Sequence, residues 1–493
     1  MTHTATTRAG LLARRALSAL TATALLAGLL VGAPGAVRAG GTIYVGPGSD
    51  GSGGSCAHPD YGASTVDATF AIYSAINDGS NPDVVYLCAG TYGLVNTVSI
   101  NREVTIQGAS AGSVILTPDG FDGTLLMVQV DATISDITVD GASKNWGVGD
   151  GNGAAILAWN GVTLTVNDSV FTNNEAGEGA AIWMDDDSTL ITHDNLFRGN
   201  VAEDGGAIWF DYDTVGSLNG DTFIDNHAQG DIEFTSPEGG AIHINGWLSA
   251  SLLSVEDATF SGNTSDEDGG AIYADQADLV TITNSTFTDN HAIGESSTTE
   301  GGAVYFQGSG SLTVVRSRFT GNSAYEDGGA IDLDSGEEIS AGDLTVLNST
   351  FVNNHASGDL GADGGAIEGH GYTMTVSNST FKGNVVTGLG DGGAISASTA
   401  TITGSSFTRN TSQTHGGAVA LSLPASSDLR LIRRNTFSRN EARVAGGAIT
   451  LGPCGATTRS EERLLFGANR FLGNRATEQR RTMNIERWED CVG

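Results

Sequence analysis

The chain has 493 residues, 70 of them Gly and only 8 Pro, with 39% hydrophobic and 7% aromatic residues. This apolar share is below that of an ordinary globular domain and suits a thin, repetitive core. A formal net charge of −34 excludes nucleic acid as a partner, because the phosphate backbone would be repelled.

The first elements are an export signal and a cap. Arg8, Arg14 and Arg15 precede an apolar stretch over residues 16–31, and Val37-Arg38-Ala39 offers a cleavage site. Residues 1–39 are therefore expected to be a secretory signal peptide. No other stretch approaches the ~20 consecutive apolar residues of a membrane span, so the mature chain is expected to be secreted with no transmembrane segment. Residues 40–150 are assigned to an N-terminal cap and irregular first coils. Within them, residues 66–77 put Phe70, Tyr73 and Ile76 on one helical face, a short capping helix. Residues 83–92 (DVVYLCAGTY) read as a first strand, and residues 98–140 as two irregular coils.

Residues 151–475 carry the repeat. F-x-x-N recurs eleven times, beginning at Phe171, Phe197, Phe223, Phe260, Phe287, Phe319, Phe351, Phe381, Phe407, Phe437 and Phe471. G-G-A-[IV] lies between the copies, and Gly153 and Gly179 begin looser versions. The Phe-to-Phe period of 26–37 residues denotes a solenoid. Short runs such as Leu344-Thr-Val-Leu alternate with period two, so the unit is a strand and not a helix. The expected fold is all-β: a right-handed parallel β-helix of about eleven repeats, with three strands and three turns per coil, stacked at ~4.8 Å. Phe and the Ile of G-G-A-I should point inward, Asn should form a ladder at a bend, and the first Gly should need positive φ. The sequons at Asn284, Asn348 and Asn378 fall at bends and are read as bend chemistry.

Two lines of residues stand out along the solenoid. The position after G-G-A-[IV] reads Trp183, Trp209, His243, Tyr273 and Tyr305, then Asp332 and Glu368. Alternation from the inward Ile points this position away from the core. Two residues on come Asp185, Asp211, Asn245, Asp275, Gln307 and Asp334. Rings beside hydroxyl-binding groups are what a sugar chain requires, so Trp183, Trp209, His243, Tyr273, Tyr305, Asp211, Asn245 and Asp275 are candidate glycan-binding residues, read as exposed. Strand propensity alone is the competing explanation of the rings.

The second line is acidic. The residue before Gly-Gly or its variant reads Glu178, Asp204, Glu238, Asp268, Glu300, Asp327, Asp363 and Asp391. Such a row must splay, take up protons or bind cations. Ca²⁺ is the candidate ion, with Asp204, Glu238, Asp268, Glu300 and Asp327 as candidate ligands. The alternative is that each acid caps a Gly turn and faces water. His227, His291 and His355 follow the motif Asn in alternate coils, ~10 Å apart, too far to share an ion.

The chain closes with a C-terminal cap over residues 476–493. Cysteines are confined to the two ends of the mature chain. Cys56 with Cys88, and Cys454 with Cys491, is the pairing chosen from three possible connectivities. Charge is polarised as well: residues 40–408 hold 6 Lys/Arg against 49 Asp/Glu, and residues 409–493 hold 13 Arg against 8 acids.

F-x-x-N alternating with G-G-A-[IV] resembles the repeat of chlamydial polymorphic outer membrane proteins over residues 150–475. The opening segment (IYV, a short helix, then VVYLCAGTY) resembles the start of pectate-lyase-like β-helices. The first resemblance implies adhesion. This chain departs from that family in lacking a C-terminal run of alternating ~10-residue strands for a membrane barrel. Three functions fit the sequence: a surface or adhesin-like protein binding an extracellular glycan or cell surface, a polysaccharide-cleaving lyase or glycoside hydrolase, and a purely structural role. For cleavage, Asp211, Asp275, Asp332, Asp334 and Glu368 are the outward carboxylates available as acid and base.

Overall fold

Each repeat closes into one coil because its strands are too short to bury a face alone and stack on the copy before. The computed structural model describes residues 41–47, 53–63, 67–144, 151–230, 236–246, 251–294, 299–335, 342–358, 361–422, 432–451, 468–478 and 485–487. The segment read as a signal peptide, together with Cys454 and Cys491, lies outside these residues. The described residues form a right-handed parallel β-helix of about eleven turns in which every named strand pairing is parallel.

One coil runs Ile242–Asn245, Leu252–Glu256, Thr259–Ser261 and Thr264–Ser265. The next coil repeats it in register: Ile242 opposite Ile272, Leu252 opposite Leu279, Thr259 opposite Thr286 and Thr264 opposite His291. There are thus four strands per coil, not the three expected. The extra one is a two-residue strand after the motif Asn, too short to show as a pattern. The first two columns merge into one 27-stranded sheet, because Ile367–Ser377 and Ile395–Thr403 run through both. The third and fourth columns make sheets of 14 and 10 strands.

The repeated residues build the core as the sequence requires. The motif Phe side chains stack from Phe171 to Phe471, with neighbouring ring centroids 4.6–5.2 Å apart. The motif Asn side chains form a buried ladder. Asn263 Nδ2 donates to Asn290 Oδ1 at 2.9 Å, and Asn290 Nδ2 donates to Asn322 Oδ1 at 3.0 Å and to Phe260 O at 3.1 Å. A second ladder was not foreseen. Its rungs change identity, from Asn195 and Asp221 to Ser285, Ser317, Ser349, Ser379 and Ser405.

The Gly-Gly bend needs both glycines for different reasons. Gly269 has φ 63°, a left-handed conformation that side chains oppose. Gly270 has no room: a Cβ there would lie 2.4 Å from the Gly302 carbonyl oxygen of the next coil. Asn284, Asn348 and Asn378 sit at bends with φ 51–53°, in agreement with bend chemistry.

The N-terminal end is closed by α1 (Thr69–Ile76). Its buried face is Ala71, Ile72, Ala75 and Ile76. The expected face is corrected in part: Ile76 is buried, but Phe70 is 75% exposed and Tyr73 is exposed too. Small residues let the helix lie close over the first coils, which the bulkier ring face would not. The disulfide Cys56–Cys88 joins the segment before α1 to the coil that follows it, as expected.

Candidate functional site on the first strand column

The strand after each Gly-Gly bend presents three residues in order: an inward Ile or Val, an outward residue, and a second outward residue two positions on. Register carries each along the axis. Trp183 lies opposite Trp209, Trp209 opposite His243, His243 opposite Tyr273, and Tyr273 opposite Tyr305. Neighbouring centroids are 4.0 Å apart for Trp209 and His243, 4.7 Å for His243 and Tyr273, and 5.1 Å for the two tyrosines.

Alternation gave the direction correctly. Leu157, Trp183 and Trp209 form an apolar cluster separate from the main core. Exposure is a correction: Trp183, Trp209, His243, Tyr273 and Tyr305 are only 4–8% exposed, so they do not form an open platform. The reason is the bend itself, which folds back over this line. A Cβ on Gly179 would lie 2.9 Å from Trp209 Cβ, and one on Gly301 would lie 2.9 Å from Tyr305 Cβ. The acid before the bend reaches over the same line, and Trp183 Nε1 donates to Glu178 Oε2 at 3.0 Å. Ring line and acidic line are therefore one feature.

The acids cap turns, though of the next coil rather than their own. Asp204 Oδ1 accepts the Glu238 N–H at 3.0 Å, Asp268 Oδ1 the Glu300 N–H at 2.8 Å, and Asp391 Oδ1 the His415 N–H at 2.9 Å. Nor do they face water freely. Burial, reinforced by neighbouring carboxylates, pushes Glu300 up to about 8, Asp327 to about 9 and Asp363 to about 7. Asp204, Asp268 and Asp332 are raised well above the usual carboxylate range for the same first reason. Burial thus favours the protonated form at Glu300, Asp327 and Asp363. Glu368 pairs with His370, and the hydrogen bond to Glu368 raises His370 to about 9.

Of the five candidate Ca²⁺ ligands, Asp204 and Glu238 converge, and their third donor is His243. One ligand atom from each of the three lies within 4.8 Å of the others. Asp268, Glu300 and Asp327 join no such group among the described residues. A second group, Asp185, Asp186 and Asp211, brings three carboxylates equally close. Burial, then the charge of Asp186, pushes Asp211 up to about 6. The histidines at alternate coils bond locally: His227 to Asp266 at 3.0 Å, His291 to Ser323 at 2.8 Å and His355 to Thr387 at 2.9 Å.

The open part of this face is the line two residues further on. It runs Asp185, Asp211, Asn245, Asp275, Gln307, Asp334 and His370 in register, and all but His370 are half-buried. At its head stands Trp159, whose main chain precedes Asp185 in the same ladder and whose side chain is 50% exposed. The sequence reading missed Trp159 because it began this line at Asp185; extending it to the Gly153 coil would have found the ring.

Comparison with known proteins gives two partial family matches. Residues 57–224 match the family described as rhamnogalacturonase A/epimerase, pectate lyase-like, and residues 241–411 match the right-handed β-helix region family. Together these matches support the pectate-lyase-like right-handed β-helix superfamily. No curated protein matches the chain. Among solved structures, the chain is similar to the catalytic unit of a thermostable GH87 α-1,3-glucanase from Streptomyces thermodiastaticus strain HF3-3. That match has 16% identity, covers 88% of this chain and 70% of that one, and has TM-score 0.45. It is also similar to the periplasmic alginate epimerase AlgG (10% identity, 82% and 77% covered, TM-score 0.35). A third is PfbA, a surface adhesin of Streptococcus pneumoniae (11% identity, 84% and 89% covered, TM-score 0.34). At these identities the likeness is one of fold.

Proposed function

We propose that this pectate-lyase-like right-handed β-helix binds an extracellular glycan along the strip from Trp159 to His370. The observation that carries the reading is the half-exposed Trp159 indole at the head of a line of half-buried hydrogen-bonding side chains in coil register. The indole offers a stacking face for one sugar, and Asp185, Asp211, Asn245, Asp275 and Gln307 offer partners for hydroxyls. The strip is acidic, as are the surrounding coils, so the ligand is a neutral or cationic glycan. Trp183, Trp209, His243, Tyr273 and Tyr305 serve as the buried floor beneath it, not as the contact surface. The reading places the protein outside the cell. The Cys56–Cys88 disulfide supports this, and no helix among the described residues is long and apolar enough to cross a membrane. The repeat's resemblance to the chlamydial adhesins supports a surface-binding role. Replacing Trp159 with Ala should weaken binding of a glycan-array hit by about tenfold or more, as loss of an aromatic anchor does. Unchanged affinity would remove Trp159 from the site.

A second reading is favoured by one observation. Asp185, Asp186 and Asp211 bring their oxygens within 4.8 Å beside the head of the strip, inside the segment that matches the rhamnogalacturonase A/epimerase family. Retaining glycoside hydrolysis uses carboxyl groups about 5–5.5 Å apart, one protonated and one ionised. Asp211, held up at about 6, suits the acid, and Asp185 suits the nucleophile. Incubation with a polysaccharide panel separates the readings. Product release by the wild type and its loss in Asp211→Asn, with binding kept, would make the strip a cleavage site; no release from any member leaves binding alone.

A further inference from the structure

We propose that Asp204, Glu238 and His243 form a site for one divalent transition-metal ion, such as Zn²⁺, held between two successive coils. Asp204 and Glu238 occupy the same repeat position in consecutive coils, and the Glu238 main-chain N–H donates to Asp204 Oδ1 at 3.0 Å, which fixes them side by side. His243 lies on the strand that follows Glu238, Ile242–Asn245, and register puts it against Trp209.

The His243 imidazole is what separates this place from an ordinary acidic row. It is 4% exposed and lies between the rings of Trp209 and Tyr273, at 4.0 and 4.7 Å. Its Nδ1 has no hydrogen-bond partner. A buried polar atom left unpaired costs about 1–3 kcal/mol, which a bound ion would recover. The atom points toward Glu238, whose Oε2 is 3.8 Å away, too far for a hydrogen bond. Two coils earlier the equivalent pair simply bonds: Trp183 Nε1 donates to Glu178 Oε2 at 3.0 Å. At the His243 coil the acid stands off, leaving a gap bounded by two carboxylates and one nitrogen.

The donor set decides the ion. Ca²⁺ takes oxygen ligands, whereas imidazole suits Zn²⁺ and its first-row neighbours. Two carboxylates and a neutral imidazole balance a double positive charge, which a buried site requires. Zn²⁺ bonds of about 2.0–2.2 Å put ligand atoms about 3.3 Å apart, so side chains now within 4.8 Å close by up to about 1.5 Å on binding. Glu238 keeps 19% side-chain exposure, which gives the ion a way in.

The test uses the mature full chain without a histidine tag, stripped with EDTA and titrated calorimetrically with Zn²⁺ and with Ca²⁺. The wild type should bind one equivalent of Zn²⁺, undiminished by excess Ca²⁺. His243→Phe keeps a ring in the stack but removes the donor, and Glu238→Gln keeps the shape but removes the charge. Each should weaken Zn²⁺ at least about a hundredfold, beyond what loss of an outer partner does. X-ray absorption at the zinc edge of the loaded wild type is independent of how the variants fold, and should show one imidazole among oxygen donors. Absence of stoichiometric Zn²⁺ binding, wild-type affinity in His243→Phe, or a zinc shell without imidazole would each overturn the proposal.

Discussion

At the scale of single residues, direction and burial separate. Trp209 points away from the main core yet is covered by the bend and stacked on His243. Phe260 points inward and lies between Phe223 and Phe287. Both substitutions to Ala should therefore destabilise, each by about 3–5 kcal/mol in chemical denaturation. A Trp209→Ala protein as stable as wild type would restore an exposed ring line. Period-two alternation made the direction of Trp209 legible. It says nothing about what lies above a residue, and the Gly179 bend that covers Trp209 is a tertiary fact.

Titration belongs to this scale too. Glu300, Asp327 and Asp363 ionise near pH 4 in the unfolded chain but only at about 7–9 when folded. Over that window the unfolded chain binds fewer protons, so the stability these three groups contribute is full below about pH 4 and is lost as pH rises through about 7–9. In EDTA the melting temperature should drop by several degrees from pH 5 to pH 9. Glu300→Gln with Asp327→Asn should flatten the slope. A melting temperature that rises over this range would mean the carboxyls are ionised in the fold.

At the scale of elements, the Asn ladder ties successive coils. Asn290 accepts from the Asn263 backbone and side chain and donates to Asn322 and to the Phe260 carbonyl. Asn290→Ala leaves buried partners on both sides unpaired and should cost about 2–4 kcal/mol. A loss below ~0.5 kcal/mol on denaturation would show that the ladder is passive. This ladder could be read from the sequence because its rungs are all Asn. The second ladder could not, since Asp221, Ser317 and Asn435 fill equivalent rungs with different letters. The same limit applies to α1: ring positions suggested a face at Phe70 and Tyr73, whereas the face that fits the coils is made of Ala71, Ile72, Ala75 and Ile76.

At the scale of the whole molecule, the β-helix converts repeat positions into lines, and function is a question of which line is open. The ring line is floor, the acidic line lies over it, and the strip headed by Trp159 is the accessible one. The seven coil-to-coil steps from Trp159 to His370, at about 4.8 Å each, give a strip of about 34 Å. A ligand lying along it should gain contacts with each added sugar until it spans the strip. The direct test is calorimetry with neutral oligosaccharides of increasing length from one array-positive series. Affinity that climbs with length and then levels off, with the climb reduced in Trp159→Ala, is the predicted result. Affinity independent of length, or no binding by any member of a broad neutral and cationic glycan array, would contradict the account.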